Sequence, residues 1–317
     1  MLNRRTALAV MAAPLIARPA WAAAPLNVVA TTGMIADAAR VVGGDLVQVQ
    51  ALMGPGVDPH AYRQTRTDIV AMTRADLVLW HGLYLEAQME DFFADLGARK
   101  PVVAVGEAVP QDMLRGHDDY DGRFDPHVWM DPALWAFVVD GVAEALAAAQ
   151  PNNADAFTAN AEAYEDRIAA LGDYATGVLS QVPAPARVLL SAHDAFGYFG
   201  AAYDFEVMGI QGISTESEAG LARISELVDF LVERDIGAVF VETSVSDRNI
   251  RAVIEGAAAK GHEVAIGGAL FSDAMGTEGS YEGTYIGMID HNATTIAGAL
   301  GVDVPAGGMQ GKLGQTA

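Results

Sequence analysis

Three histidines and one aspartate stand where metal chemistry could be done. His60 lies in the turn-rich run Gly56-Val57-Asp58-Pro59-His60-Ala61-Tyr62, and His127 in Asp125-Pro126-His127-Val128-Trp129-Met130-Asp131-Pro132. His193 sits in Ser191-Ala192-His193-Asp194, and Asp273 in Leu270-Phe271-Ser272-Asp273-Ala274-Met275. Each follows a run that reads as a β-strand, and open parallel sheets bind ligands beyond the carboxyl ends of their strands. Three imidazoles and one carboxylate suit tetrahedral Zn²⁺, with bonds of about 2.0 to 2.2 Å, and tolerate Mn²⁺ or Fe²⁺. The chain has no cysteine. Thiolate zinc sites, Fe–S clusters, disulfide frameworks and thiol nucleophiles are therefore excluded. Taken singly, a His after a strand is ordinarily a surface or hydrogen-bonding residue, and Pro59 and Pro126 make rigid turns that a loop can use without any metal. Asp131 with Pro132 reads as a helix N-cap and first helical position, which pins the loop carrying His127.

The elements that must position these residues alternate. Strand patterns at 27–30, 47–52, 76–80 and 102–105 are interleaved with helical patterns at 34–42, 68–74 and 85–96. The second half repeats the order, with strands at 187–190, 206–210, 238–241 and 263–266 and helices at 195–203, 221–234 and 248–260. Such alternation implies parallel sheets covered by crossover helices, so two α/β lobes are expected, each contributing two of the four residues across a cleft.

Between the halves, Phe157, Ala161, Tyr164, Ile168, Leu171, Ala175 and Val178 recur at steps of four and three. That is one apolar stripe on one long helix over 153–180, capped by Asn152 or Asn153 after Pro151 and ended by Pro183 and Pro185. At 1.5 Å per residue it would span roughly 40 Å. Interior Gly172 and Gly177 favour a helix docking both lobes over a coiled-coil dimer seam. The expected partition is a leader at 1–22, an N-terminal lobe at 23–150, a linker helix at 151–182 and a C-terminal lobe at 183–317.

Arg4 and Arg5, the apolar run 7–17 and Ala20-Trp21-Ala22 have the pattern of a secretory signal peptide, exported by the general secretory or the twin-arginine route. The run is shorter than the about 20 residues a spanning helix needs, and no second membrane span is expected. The 317 residues carry 41 acidic against 19 basic side chains, a formal charge of −22, which repels nucleic-acid phosphates and anionic lipid. With no cysteine to lipidate, an unanchored periplasmic monomer is expected.

Several segments together make a resemblance specific. DPHAY at 58–62, DPHVWMDP at 125–132, SAHDAFGYF at 191–199, GIQGISTESEAG at 209–220 and GGALFSDAMG at 267–276 resemble the zinc/manganese solute-binding proteins of ABC transporters, over nearly the whole mature chain. The resemblance implies two α/β lobes joined by one rigid helix with the metal between them, and places the ligands on His60, His127, His193 and Asp273. His193 stands where manganese carriers of the family generally have Glu, which favours zinc, with manganese the alternative because the ISTESEAG and SDAMG wording also resembles manganese carriers. Zinc carriers often have a His-rich loop before the second ligand; here His117, Asp118, Asp119 and Asp121 form either a cation-collecting loop or a plain solvated one. His81, where the family often has Asn, reads as a hydrogen-bonding or cleft-rim residue, and Glu242 and Asp194 as acceptors orienting a ligand imidazole. His262 and His291, at helix ends, read as surface; Trp80, Trp129 and Trp135 as core; and 278–290 as a shaped loop beside Asp273.

A transport protein needs an ion saturated by protein ligands, whereas an enzyme needs an open coordination position and a base. Four matched ligands therefore predict a non-enzymatic carrier serving an ABC membrane permease, with a periplasmic metallochaperone as a further candidate partner. A secreted metallohydrolase has only Glu242 and Asp194 in its favour, with no His-Glu-x-x-His helix or Gly-x-Ser-x-Gly elbow. A surface adhesin with a structural metal would want the lipid anchor that the sequence lacks.

Overall fold

The computed structural model describes residues 24–116, 122–217 and 219–315. The leader assigned to 1–22 and the acidic run His117, Asp118, Asp119 and Asp121 lie outside the described residues. Short Val- and Leu-rich runs form β1 (Leu26–Ala30), β2 (Val47–Ala51), β3 (Leu77–Trp80) and β4 (Val102–Ala104), one parallel sheet in the order β2-β1-β3-β4. Leu26 pairs with Val47, and Val28 with Leu77. The central strands β1 and β3 are almost wholly buried, as a parallel sheet covered on both faces requires. The crossovers are α1 (Gly33–Gly43), α2 (Arg66–Arg74) and α3 (Glu90–Gly97). A capping box between Thr65 and Asp68 starts α2.

Asp131 Oδ1 accepts the Ala133 N–H at 2.9 Å and opens α4 (Pro132–Ala149), as the Asp-Pro pair predicts. This helix belongs to the core. It is the one described helix long and apolar enough to cross a membrane, but more than half of it is buried in the core, and it packs on α1 and on α5 (Ala154–Leu179). All seven stripe residues of α5 are buried, against α4 and α1 on one side and α9 (Tyr285–Ala299) on the other. The stripe is thus consumed within this chain rather than left for a dimer seam. Asn153 holds the cap position, but its side chain donates to Gln150 Oε1 instead of capping.

The second lobe contains β5 (Val188–His193), β6 (Glu206–Gln211), β7 (Ala238–Glu242) and β8 (Ala265–Leu270), with α6 (Gly197–Tyr203), α7 (Leu221–Glu233) and α8 (Arg248–Ala259) between them and α9 after. β5 pairs with β6 and β7 with β8, all parallel, and β5 lies beside β7. The spatial order β6-β5-β7-β8 repeats that of the first lobe. β5 runs three residues past its expected end because Ser191 and His193 stay paired with β6 and Ser191, Ala192 and His193 are all buried. β8 starts later and ends later than expected, since Gly267 and Gly268 form a bulged strand opposite Val239 and Phe240 rather than a turn.

The segment 278–290 is a loop only as far as Thr284, whose Oγ1 accepts the Gly287 N–H at 3.0 Å and starts α9. A Cβ at Gly287 would lie 1.8 Å from Tyr281 O, so glycine lets this first helical turn sit on the preceding loop. His291 lies inside α9 rather than at its end, half-buried, donating to Ala269 O with its ring 4.7 Å from Phe271. His262 is likewise half-buried and donates to Ile236 O. Both read as surface from sequence because carbonyl partners 26 and 22 positions away leave no local pattern.

Candidate metal centre

His60 stands in the loop after β2, His127 just before a single 3-10 turn leading into α4, His193 at the last residue of β5, and Asp273 three residues beyond β8. The first pair comes from one lobe and the second from the other. Both Asp-Pro-His triplets fold alike: Asp58 Oδ1 accepts the His60 N–H at 2.9 Å and Asp125 Oδ1 the His127 N–H at 3.0 Å. An aspartate that bonds the backbone two residues on makes a local turn, and the proline between them removes a competing donor.

The four side chains converge. His127 Nε2 lies 3.3 Å from His60 Nε2 and 3.3 Å from His193 Nε2, while Asp273 Oδ1 is 3.4 Å from His127 Nε2 and Oδ2 is 3.3 Å from His193 Nε2. One donor atom from each residue falls within 4.8 Å of all the others. Around a tetrahedral ion with bonds of about 2.0 to 2.1 Å, donors are separated by about 3.3 to 3.4 Å, because a tetrahedron's edge is about 1.6 times its centre-to-corner distance. The four contacts match that edge, the two at Asp273 through different carboxylate oxygens. All four residues are at most 2% exposed, and Asp273 Oδ1 is buried with no hydrogen-bond partner. A buried carboxylate oxygen left without a donor is costly, and a cation among the four groups would satisfy it.

The imidazoles are aimed from behind. His127 Nδ1 bonds Asp125 Oδ1 at 2.7 Å and His193 Nδ1 bonds Glu242 Oε2 at 2.5 Å, so each Nε2 faces the centre. Glu242 Oε1 also accepts the His193 backbone N–H at 2.9 Å. Ser244 Oγ reaches Asp273 Oδ2 at 3.4 Å and Ser272 Oγ at 2.9 Å. Burial works against charge on both rings, but at His127 the carboxylates of Asp125 and Asp273 outweigh it and hold the imidazole up at about 9. At His193 the same burial is overcome by Asp273 and Glu242, which lift it well above its ordinary value. His60 lacks such support; burial takes it down to about 3, with Asp273 only partly opposing. Burial would raise Asp273, yet the facing His193 and His127 hold it well below the usual carboxylate range. In the metal-free protein His127 and His193 therefore carry imidazolium charges among the carboxylates of Asp125, Asp273 and Glu242. Exchanging those two protons for one divalent cation leaves the charge of the site unchanged.

Of the residues picked out around the site, Glu242 bonds His193 as described. His81 is buried rather than at the cleft rim. Its Nε2 bonds Pro126 O at 2.7 Å and its backbone N–H donates to Glu86 Oε1 at 2.8 Å, so it braces the loop of His127. Gly106 makes room for it, since a Cβ there would come within 2.6 Å of His81 O and 2.8 Å of its Nε2. Asp194 is half-buried, with its backbone N–H on Gly212 O, and the carboxylates on the ring Nδ1 atoms are those of Asp125 and Glu242. The roles of Asp58 and Asp125 escaped the sequence reading. Their signal was the aspartate two positions ahead of each histidine.

The zinc-uptake complex component A periplasmic family (ZnuA) matches residues 28–299. The chain is 49% identical over 275 residues to the manganese-binding lipoprotein MntA of Bacillus subtilis, covering 87% of this chain and 90% of that protein. It is 45% identical over 273 residues to the zinc-binding protein TroA of Treponema pallidum, covering 86% and 88%. The solved structure of the periplasmic zinc binding protein TroA superposes with a TM-score of 0.85 at 44% identity, over 87% of this chain and 99% of that one. A two-lobed α/β chain with this likeness along its length belongs to the ZnuA family, the metal-binding solute-binding proteins of ABC transporters.

Proposed function

We propose that His60, His127, His193 and Asp273 capture one divalent transition metal, zinc by preference, and that the protein hands it to the permease of an ABC importer. The observation that carries this reading is the set of four buried donors at 3.3 to 3.4 Å. Three imidazoles to one carboxylate, with neighbouring donors at a tetrahedron's edge length, favour zinc by ligand preference. One observation favours manganese: both Asp273 oxygens face the centre, offering a fifth donor, and the relative at 49% identity is named for manganese. Iron is the third ion such a donor set tolerates. The burial of all four residues supports carriage over hydrolysis, which needs an open coordination position.

Solute-binding proteins of this class work with a membrane permease and its ATPase. Action as a monomer, loading by a metallochaperone and the partition at 23–150, 151–182 and 183–317 belong to the same proposal. So do export through residues 1–22 and a periplasmic location without a lipid anchor; several relatives are named lipoproteins, and fractionation of cells into soluble and membrane protein tests this point. Elemental analysis of protein purified from its own periplasm, without added metal or chelator, tests the whole reading. One zinc per chain is expected; one manganese per chain would reverse the metal assignment, and no bound metal would overturn the reading.

A further inference from the structure

Trp129 joins the two lobes at both of its polar ends. Its indole Nε1–H donates to Ser272 O at 2.8 Å, and its backbone carbonyl accepts the Tyr285 hydroxyl at 2.9 Å. Trp129 is fully buried and lies two residues after His127, while Ser272 immediately precedes Asp273. The indole packs edge-on against the rings of His127 and His81, at centroid distances of 5.2 and 5.0 Å. Tyr285 is itself anchored, because its backbone N–H donates to Asp37 Oδ2, which also accepts the Tyr164 hydroxyl. One side chain thus spans from the imidazole of His127 in one lobe to the backbone carbonyl preceding Asp273 in the other. The gap it bridges is the 3.4 Å between His127 Nε2 and Asp273 Oδ1.

We propose that Trp129 is a positioning residue that sets the size selectivity of the centre. An ion with longer bonds or more ligands needs the donors to move apart, and the lobe-to-lobe pair is where they can do so. That movement stretches the indole bond and leaves a fully buried N–H without its acceptor, a cost water cannot offset. A tetrahedral ion imposes no such stretch. The proposal rests on the reading that the four donors hold a divalent metal.

Trp129→Phe keeps an aromatic body and deletes the N–H. Trp135→Phe is the control, since Trp135 is equally buried and its indole nitrogen has no hydrogen-bond partner. Zinc and manganese affinities of each protein are measured by competition with a chelating dye, and the visible spectrum of the Co²⁺ form reports coordination geometry. Trp129→Phe is expected to weaken zinc by about 10- to 100-fold, the range typical of groups that orient metal ligands. Manganese should weaken far less, so that the zinc-to-manganese ratio falls about tenfold and the tetrahedral Co²⁺ bands lose intensity. Trp135→Phe should lower the melting temperature and leave the ratio in place. Should Trp129→Phe fail to fold, Tyr285→Phe, which removes the other cross-lobe bond, is expected to lower the ratio in the same direction. An equal loss for both metals, or an equal change of ratio in the control, overturns the role of Trp129. A wild-type protein that binds neither metal overturns the underlying reading instead.

Discussion

Glu242 grips His193 at two points, accepting its backbone N–H on Oε1 at 2.9 Å and its ring Nδ1–H on Oε2 at 2.5 Å. The first bond fixes where β5 ends relative to β7, and the second fixes which face of the imidazole looks at the centre. Glu242→Gln keeps the shape but replaces a charged acceptor by a neutral amide. Groups in this position typically contribute 10- to 100-fold to metal affinity. A loss in that range, read by competition with a chelating dye, is expected; an unchanged affinity would mean that strand packing alone orients His193.

Protonation sets a second expectation. His127 at about 9 and His193 well above its ordinary value are charged at neutral pH in the metal-free fold, while His60, at about 3, is already neutral. Metal must displace protons from the first two. Affinity should rise with pH through the neutral range and on towards about 9, and binding near pH 7 should release close to two protons. Calorimetry in buffers of different ionisation enthalpy counts them; a count near zero would mean that His127 and His193 are already neutral before metal arrives. The metal-free fold shows the reverse trend. A histidine held above its unfolded value of 6.5 adds stability in full below that pH and loses it as pH rises through the folded value. The melting temperature of the chelator-treated protein should therefore fall between about pH 6.5 and 9.

That His60, His127, His193 and Asp273 converge was legible because few residue types bind hard and borderline cations without cysteine, and because each lies at or after the carboxyl end of a strand pattern in a two-lobed α/β chain. The helix α5 was legible because seven apolar residues keep one period over its length. What was not legible depends on distant partners. Trp129 and Ser272 are 143 positions apart, and nothing local in either segment encodes their bond. The start of α9 was hidden by Gly283 and Gly287, which read as loop but are demanded by the close approach of Tyr281 and Thr277. His81 could be read as either a hydrogen-bonding or a rim residue, and the choice was hidden because the carbonyl it bonds belongs to Pro126, 45 positions away.

His193 and His81 separate a donor from a brace. His193→Ala removes an Nε2 from the centre, and the loss of affinity should exceed the about 100-fold upper range of orienting groups. His81→Ala leaves Pro126 O buried without its donor, which costs about 1 to 3 kcal/mol of stability and loosens the His127 loop. Its melting temperature should fall while its affinity drops by less than that of His193→Ala. Equal affinity losses would remove His193 from the donor set.

Metal that binds only the folded chain must stabilise it. At a free zinc concentration 1,000 times the dissociation constant the gain is about 4 kcal/mol. The melting temperature should climb with each tenfold increase in zinc and do so far less for a His127→Ala variant. A scan unaffected by excess zinc would contradict binding to the native state.

Thr215 ties the lobes together on the His60 side. Its hydroxyl donates to Asp58 Oδ2 at 2.5 Å, and Asp58 Oδ1 in turn receives the His60 N–H. The carboxylate is thus shared between a loop of the second lobe and the backbone of a donor in the first. If His60 swings away when an ion leaves, its loop carries the cross-lobe contact with it while this bond is in place. Thr215→Val keeps the side-chain volume and deletes the hydroxyl. A hydrogen bond to a charged group contributes about 1.5 to 3 kcal/mol, so zinc dissociation into excess chelator, followed by stopped flow, should accelerate at least about tenfold. Association should change little, because the bond forms only once the two loops have met. If dissociation keeps its wild-type rate, the Asp58 carboxylate serves the turn around His60 alone and release proceeds without parting the lobes on this side.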